Sequence, residues 1–207
     1  MLLQLMQQFT GINVVMYYAP KIISIAGFSS TTEQMWGTVI VGIVNVFASL
    51  IAVFFVDSWG RRPMLVTSFS IMAFGMGALG TLLHIGIESN FHRYSAIFML
   101  LVFIVGFAMA VGPIVWLLCP EIQPLKGRDF GISVSTTTNW VSNMIVGATF
   151  LSMLEKAGSA STFWLYGSLN LFFVLLTLLL VPETKNIGLE EIEKNLMSGK
   201  KLRDIGI

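Results

Sequence analysis

Six long apolar runs, near residues 2–28, 36–56, 64–85, 94–118, 130–154 and 162–181, fill most of this 207-residue chain. Each reaches or exceeds the roughly 20 residues an α-helix needs to cross a bilayer core of about 30 Å. Strands of a membrane barrel would alternate apolar and polar residues over segments of about 10 residues, and these runs do not. Only 11% of the chain is charged and 55% is hydrophobic, with a mean hydropathy of +0.80, whereas a soluble domain carries about 25% charged residues. The expected fold is an all-α polytopic membrane protein: six transmembrane helices in a bundle over residues 1–182, then a tail over residues 183–207.

The positions of the charges set an expected orientation. Arg61, Arg62, Lys126, Arg128, Lys185, Lys194, Lys200, Lys201 and Arg203 fall on one side of such a bundle, and Lys21, Arg93 and Lys156 on the other. Nine against three places the second and fourth connections and both termini in the cytoplasm by the positive-inside rule. One cysteine, Cys119, excludes an internal disulfide, and no Cys/His cluster suggests a metal. His84 and His92 lie at or beyond the outer end of the third run and read as interfacial. Apolar residues begin directly after Met1 with no basic lead-in, so no cleavable signal peptide is visible, and the chain reads as starting part-way through a protein.

The first run departs from lipid-facing composition, because it carries Gln7, Gln8, Gly11, Asn13, Tyr17 and Tyr18. Polar groups at membrane depth are costly and mark a substrate path or a helix contact. Neutral amides beside aromatics suit an uncharged, hydrogen-bonding ligand such as a sugar, while amides as helix-packing glue are the alternative. On a straight helix the polar arc would exceed half the circumference, so Gly11 is expected to bend or break the segment. A second polar face lies on the fifth run, where Ser135, Asn139, Ser142 and Asn143 fall within an arc of about 100°.

The other runs are less polar. Asn45 in the second reads equally as a helix contact or a ligand contact. In the fourth, Gly112-Pro113 loosens the backbone, and Trp116 is either a flat face for a sugar or part of an interfacial aromatic belt. The third run is rich in small residues and reads as packing. The sixth, Leu- and Phe-rich with Asn170 as its one amide, is expected to face lipid. Asp57-Ser58-Trp59-Gly60-Arg61-Arg62 forces an antiparallel hairpin, with Asp57 able to pair with an arginine. Leu189, Ile192 and Leu196 at helical spacing predict a short amphipathic helix in the tail. No nucleophilic triad, Cys/His pair or metal-ligand set lies at a common depth, which argues against a membrane-embedded enzyme. The polar residues gather at one level instead of lining a path, which argues against a channel.

Five motifs together resemble the C-terminal half of the sugar porter family of the major facilitator superfamily. They are Gln7-Gln8-Phe-Thr-Gly11-Ile-Asn13 with Tyr17-Tyr18, Asp57-Ser-Trp-Gly60-Arg61-Arg62, Gly112-Pro113-Ile-Val-Trp116, Asn139-Trp140-Val-Ser-Asn143 and Pro182-Glu183-Thr184-Lys185. The resemblance covers essentially the whole chain, and its closest character is that of the bacterial galactose–proton and arabinose–proton symporters. Two positions depart from the commonest pattern: Ala108 stands where facilitative members often have Glu, and Val115 where many have a second proline.

The resemblance implies the second half of a twelve-helix transporter of the bacterial inner membrane. It implies that Gln7, Gln8, Asn13, Asn45, Trp116 and Asn139 bind a monosaccharide, and that Tyr17 and Tyr18 close the outer end of the site. It further implies that Asp57, Arg61, Arg62, Glu121, Arg128 and Glu183 form a cytoplasmic charge network holding the inward gate shut. No Asp or Glu lies mid-span here, so the coupling proton is expected to bind in the N-terminal six-helix half, the chain's implied partner. Proton symport by alternating access is the leading expectation, with a facilitative uniporter, or a truncated product inactive without its first half, as alternatives. No cofactor, metal or nucleic acid is expected.

Overall fold

The structure, a computed structural model, describes residues 1–206 apart from the side chain of Val53. The described residues form helices joined by short turns, with no strand among them. The first apolar run is three helices instead of one: α1 (Leu2–Phe9), α2 (Ile12–Tyr17) and α3 (Ala19–Ile25). The break between α1 and α2 falls at Gly11, as the polar arc required, with φ at +90°. That left-handed conformation disfavours any residue with a Cβ. The break between α2 and α3 falls at Tyr18, just before Pro20, whose ring leaves the Met16 carbonyl without its usual i+4 donor.

The hairpin of α4 (Thr31–Trp59) and α5 (Arg61–Ile85) turns on Gly60 alone. The fourth run starts as α6 (Asn90–Gly106), loosens into a π-helical turn at Phe107–Val111 and continues as α7 (Gly112–Glu121). Sequence placed the irregularity at Gly112-Pro113, but the structure widens the turn just before it. A wider turn there accommodates a proline that has no N–H to offer the Met109 carbonyl. Then follow α8 (Arg128–Ala157), α9 (Ser159–Leu180), the tail helix α10 (Leu189–Met197) and a 3₁₀ turn at Leu202–Asp204.

Four of these stretches are long and apolar enough to cross a membrane: Thr31–Trp59, Arg61–Ile85, Asn90–Glu121 and Ser159–Leu180. The first run is divided into pieces, and α8, at 30 residues, is long enough but carries the second polar face.

The core lies along α5, whose Met64, Leu65, Phe69, Met72, Met76 and Leu79 are all buried. They pack on Leu100 and Phe103 of α6 and on Phe163 and Phe173 of α9. Phe69 and Phe173 meet edge to face with ring centroids 5.7 Å apart, a favoured aromatic geometry. The small residues of α5 therefore serve packing. The expectation that the sixth run faces lipid holds for only part of its surface. Phe163, Tyr166, Gly167, Asn170, Phe173 and Thr177 are buried, while Leu171, Phe172, Leu175 and Leu179 are exposed. In the tail, Ile192 of α10 and Ile205 are buried, and Asn195 Nδ2 donates to the Ile205 carbonyl at 3.0 Å.

Candidate functional site

The packing of α1 and α2 against α8 brings the two polar faces together. Asn139 of α8 stands at the centre. Its Nδ2 donates to Gln4 Oε1 at 2.5 Å and to Gln7 Oε1 at 2.7 Å, while its Oδ1 accepts from Gln8 Nε2 at 3.0 Å. Gln8 Oε1 in turn accepts from Asn13 Nδ2 at 2.5 Å. Four of these carboxamides are buried, with exposures of 1% for Gln4, 2% for Gln7, 5% for Gln8 and 3% for Asn139. Asn13, at the far end of the chain of amides, is only half-buried. The cluster therefore runs from a sealed interior to an open face. Carboxamides both donate and accept, so a connected set of them presents either role to a ligand hydroxyl.

Gln7 has a second engagement. Its Nε2 donates at 3.0 Å to each of the Val111 and Gly112 carbonyls. These lie where the π turn passes into α7, so one side chain satisfies acceptors at a helix break inside the bundle.

The remaining expected site residues stand outside this network. Asn45 shares a face of α4 with the buried Val41, Ala48 and Ala52, and its carboxamide makes no hydrogen bond among the described residues. Trp116 lies on α7, 43% exposed. The two tyrosines behave differently. Tyr18 donates to the Gly147 carbonyl at 3.2 Å and packs on Phe150 at 5.2 Å, whereas Tyr17 is exposed and its hydroxyl accepts from Asn143 Nδ2 at 3.1 Å. A groove of about 520 Å³ between α1 and α8 is lined by Leu5, Phe9 and Val141 together with hydroxyl residues such as Thr138 and Ser142, and by none of these amides.

At the opposite end of the bundle the expected charge network is partly formed. Arg61 pairs through Nη1 with Asp57 at 3.3 Å and through Nη2 with Glu121 at 3.2 Å. Asp57 is 84% exposed, so its pair is screened and weak. The Glu121 pair is the more sheltered, and Glu121 Oε2 also accepts from Thr184 Oγ1 at 2.6 Å. Glu183 does not pair with a guanidinium. Its carboxylate accepts from the Arg61 and Arg62 backbone N–H groups at 3.0 Å each, and so caps the start of α5. An anion there complements both the unpaired donors and the helix dipole. Arg62 donates from Nη2 to the Leu178 carbonyl, and Arg128 from Nη2 to the Gln123 carbonyl at 3.2 Å, so neither meets a carboxylate.

Gln4, Thr184 and Asn170 make contacts with the amide cluster, the charged end and the helix break that sequence reasoning passed over. Gln4 shares a helix face with Gln7 at i and i+3, which was the available signal. Nothing local to Thr184 identifies a partner more than sixty residues away, while Asn170, a lone amide in an apolar run, signals a contact without naming its partner. No group of three metal-ligating side chains gathers among the described residues.

The model of the family described as "Sugar (and other) transporter" matches residues 1–196. The galactose-proton symporter of Escherichia coli (strain K12) is 66% identical over 205 residues, covering 99% of this chain and 44% of that protein. The arabinose-proton symporter of the same strain is 55% identical over 210 residues, covering 100% of this chain and 44% of that protein. Among solved structures, a double tryptophan mutant of XylE superposes with a TM-score of 0.83 at 33% identity, covering 93% of this chain and 41% of that one. The chain thus spans less than half the length of the relatives it matches. It belongs to the sugar (and other) transporter family, and its helices match the C-terminal half of the major facilitator fold.

Proposed function

We propose that the chain supplies one half of a monosaccharide site in a proton-coupled symporter that works by alternating access. The observation that carries this reading is the connected amide cluster of α1, α2 and α8, sealed at Gln4 and open at Asn13. The names of the two bacterial relatives favour a sugar of the galactose or arabinose class.

In this reading a sugar enters at the open end, and its hydroxyls exchange bonds with Gln8, Asn13 and Asn139. Gln7 contributes its Oε1. Asn45 and Trp116 complete the wall, with the indole lying against the C–H face of the sugar ring. Tyr17 is the movable part of the outer closure, and Tyr18, tied to α8, is its fixed jamb. The opposite wall comes from the N-terminal half. A ligand touching both halves stabilises the state in which they close on it, and its release favours reopening.

The six apolar runs are six membrane spans in this reading, and the charge bias puts both ends of the chain on the cytoplasmic side of a bacterial inner membrane. The Arg61–Glu121 pair and the Glu183 cap then form the inner gate, and opening inward requires parting α4–α5 from α7 and the 181–185 strap. This chain holds no mid-span acid, so the proton is taken up in the other half.

The test joins this chain to its upstream half in transport-deficient vesicles and follows labelled galactose and arabinose. Uptake above equilibrium that collapses when the proton gradient is removed supports symport. Gradient-independent equilibration would reassign the protein as a uniporter, and failure to bind either sugar would refute the site.

A further inference from the structure

The break between α1 and α2 has a fixed support on α9. Breaking a helix frees carbonyls that would otherwise accept from four residues on. The Thr10 carbonyl, which would accept from Val14 in an unbroken helix, instead accepts from Asn170 Nδ2 at 3.2 Å. The same Nδ2 donates to the Tyr166 carbonyl at 2.8 Å, one turn back on α9. Asn170 is 0% exposed and its Oδ1 has no partner among the described residues. The side chain thus acts as a donor alone, with both bonds converging from α9 and the break.

Tyr166 adds a steric element. A Cβ at Gly11 would lie 2.8 Å from Tyr166 Cδ1, so the ring fills the space that the glycine leaves. Thr10 completes the joint from within. Its Oγ1 donates to the Gln7 carbonyl at 2.6 Å and accepts from the Ile12 N–H at 3.4 Å. On one side of the joint are Gln4, Gln7 and Gln8, and on the other Asn13 and Tyr17. Their relative placement depends on the angle held at Thr10–Gly11.

We propose that Asn170, with the Tyr166 ring, is a positioning residue that pins the α1–α2 hinge and so sets the spacing between Gln8 and Asn13 in the ligand site. The proposal rests on the sugar-site reading for its functional consequence, while the pin itself rests on geometry alone. A pin made of one hydrogen bond and one ring face holds the hinge angle without welding it, because the bond is neutral and contributes about 1 kcal/mol.

The experiment uses the joined, full-length transporter with Cys119 replaced by serine. Spin labels at Ser24→Cys and Lys156→Cys report the distance from α3 to the end of α8, and a control pair at Glu88→Cys and Lys156→Cys spans no hinge. Asn170→Ala should broaden or shift the Ser24–Lys156 distance distribution and leave the control pair unchanged. It should also weaken galactose binding about fivefold to tenfold, the equivalent of one neutral hydrogen bond. Asn170→Ser, which keeps a donor in a shorter side chain, should fall between the two and serves if Asn170→Ala is poorly produced. An unchanged hinge distance would overturn the pin. A changed distance with unchanged sugar affinity would overturn the positioning role. If the parent protein binds no sugar while the distance still responds, the functional reading fails and the pin stands.

Discussion

Replacing Glu183 with glutamine should unlatch the first turn of α5. The carboxylate receives the Arg61 and Arg62 amides at 3.0 Å each and the Lys185 amide also at 3.0 Å. A hydrogen bond to a charged acceptor contributes about 1.5–3 kcal/mol and a neutral one about 0.5–1.5. Glutamine keeps one acceptor oxygen and turns an NH2 group toward a backbone donor, which leaves that donor without a partner. Loss of the charge weakens the surviving bond and removes the favourable interaction with the helix dipole. Together these amount to about 2–3 kcal/mol of local stability, or roughly 30- to 140-fold in the opening equilibrium. Hydrogen exchange measured by mass spectrometry on short peptides from residues 58–66 reads this directly. The Arg61 and Arg62 amides should exchange faster by that factor, with Phe69 to Met76 unaffected. A change below about threefold, or an equal change along the whole of α5, would refute the local-cap reasoning.

Three further substitutions separate structural amides from residues expected to face the ligand. Asn139→Ala removes three side-chain hydrogen bonds and strands Gln4, Gln7 and Gln8 in a buried setting. It should lower unfolding stability in detergent by about 2–4 kcal/mol, and a loss under about 1 would show that the glutamines re-pair among themselves. Asn45→Ala removes no hydrogen bond among the described residues and should leave unfolding within about 0.5 kcal/mol, and Trp116→Ala, at a 43% exposed position, should cost less than Asn139→Ala. In the joined transporter each should weaken galactose binding about tenfold or more. Unchanged binding removes that residue from the site.

How far the sequence reached depends on the range of each interaction. Hydropathy and charge bias are local, so the apolar runs, the Gly60 hairpin and the tail helix were all legible. Gly11 was legible as a break, because an arc of amides that wide cannot stay on one straight helix. The second break at Tyr18 was not, although Pro20 carried the signal. The burial of one stripe of α9 was also missed, because Leu and Phe look alike to lipid and to a protein core. Asn170 is the exception in that stripe, and a lone amide in an otherwise apolar run was the clue. At the charged end, sequence named the charged groups but not their partners. Glu183 meets backbone donors and Arg128 meets a carbonyl, since geometry, and not the sign of the charge, selects the nearest partner.

Position 7 has an implication for how mutational data on this family are interpreted. Gln7 lends its oxygen to Asn139 and its nitrogen to the kink before α7, and its carbonyl is held by Thr10 at the other kink. The two interrupted helices are therefore geared to each other through a single residue. A side-chain substitution there leaves the Gln7 carbonyl in place for Thr10 but removes the bond to Asn139 and the support of the kink before α7 in one stroke. In the sugar-site reading, loss of transport in such a variant superimposes two results, and only a variant that keeps the donation to the Val111 and Gly112 carbonyls isolates the part due to the sugar.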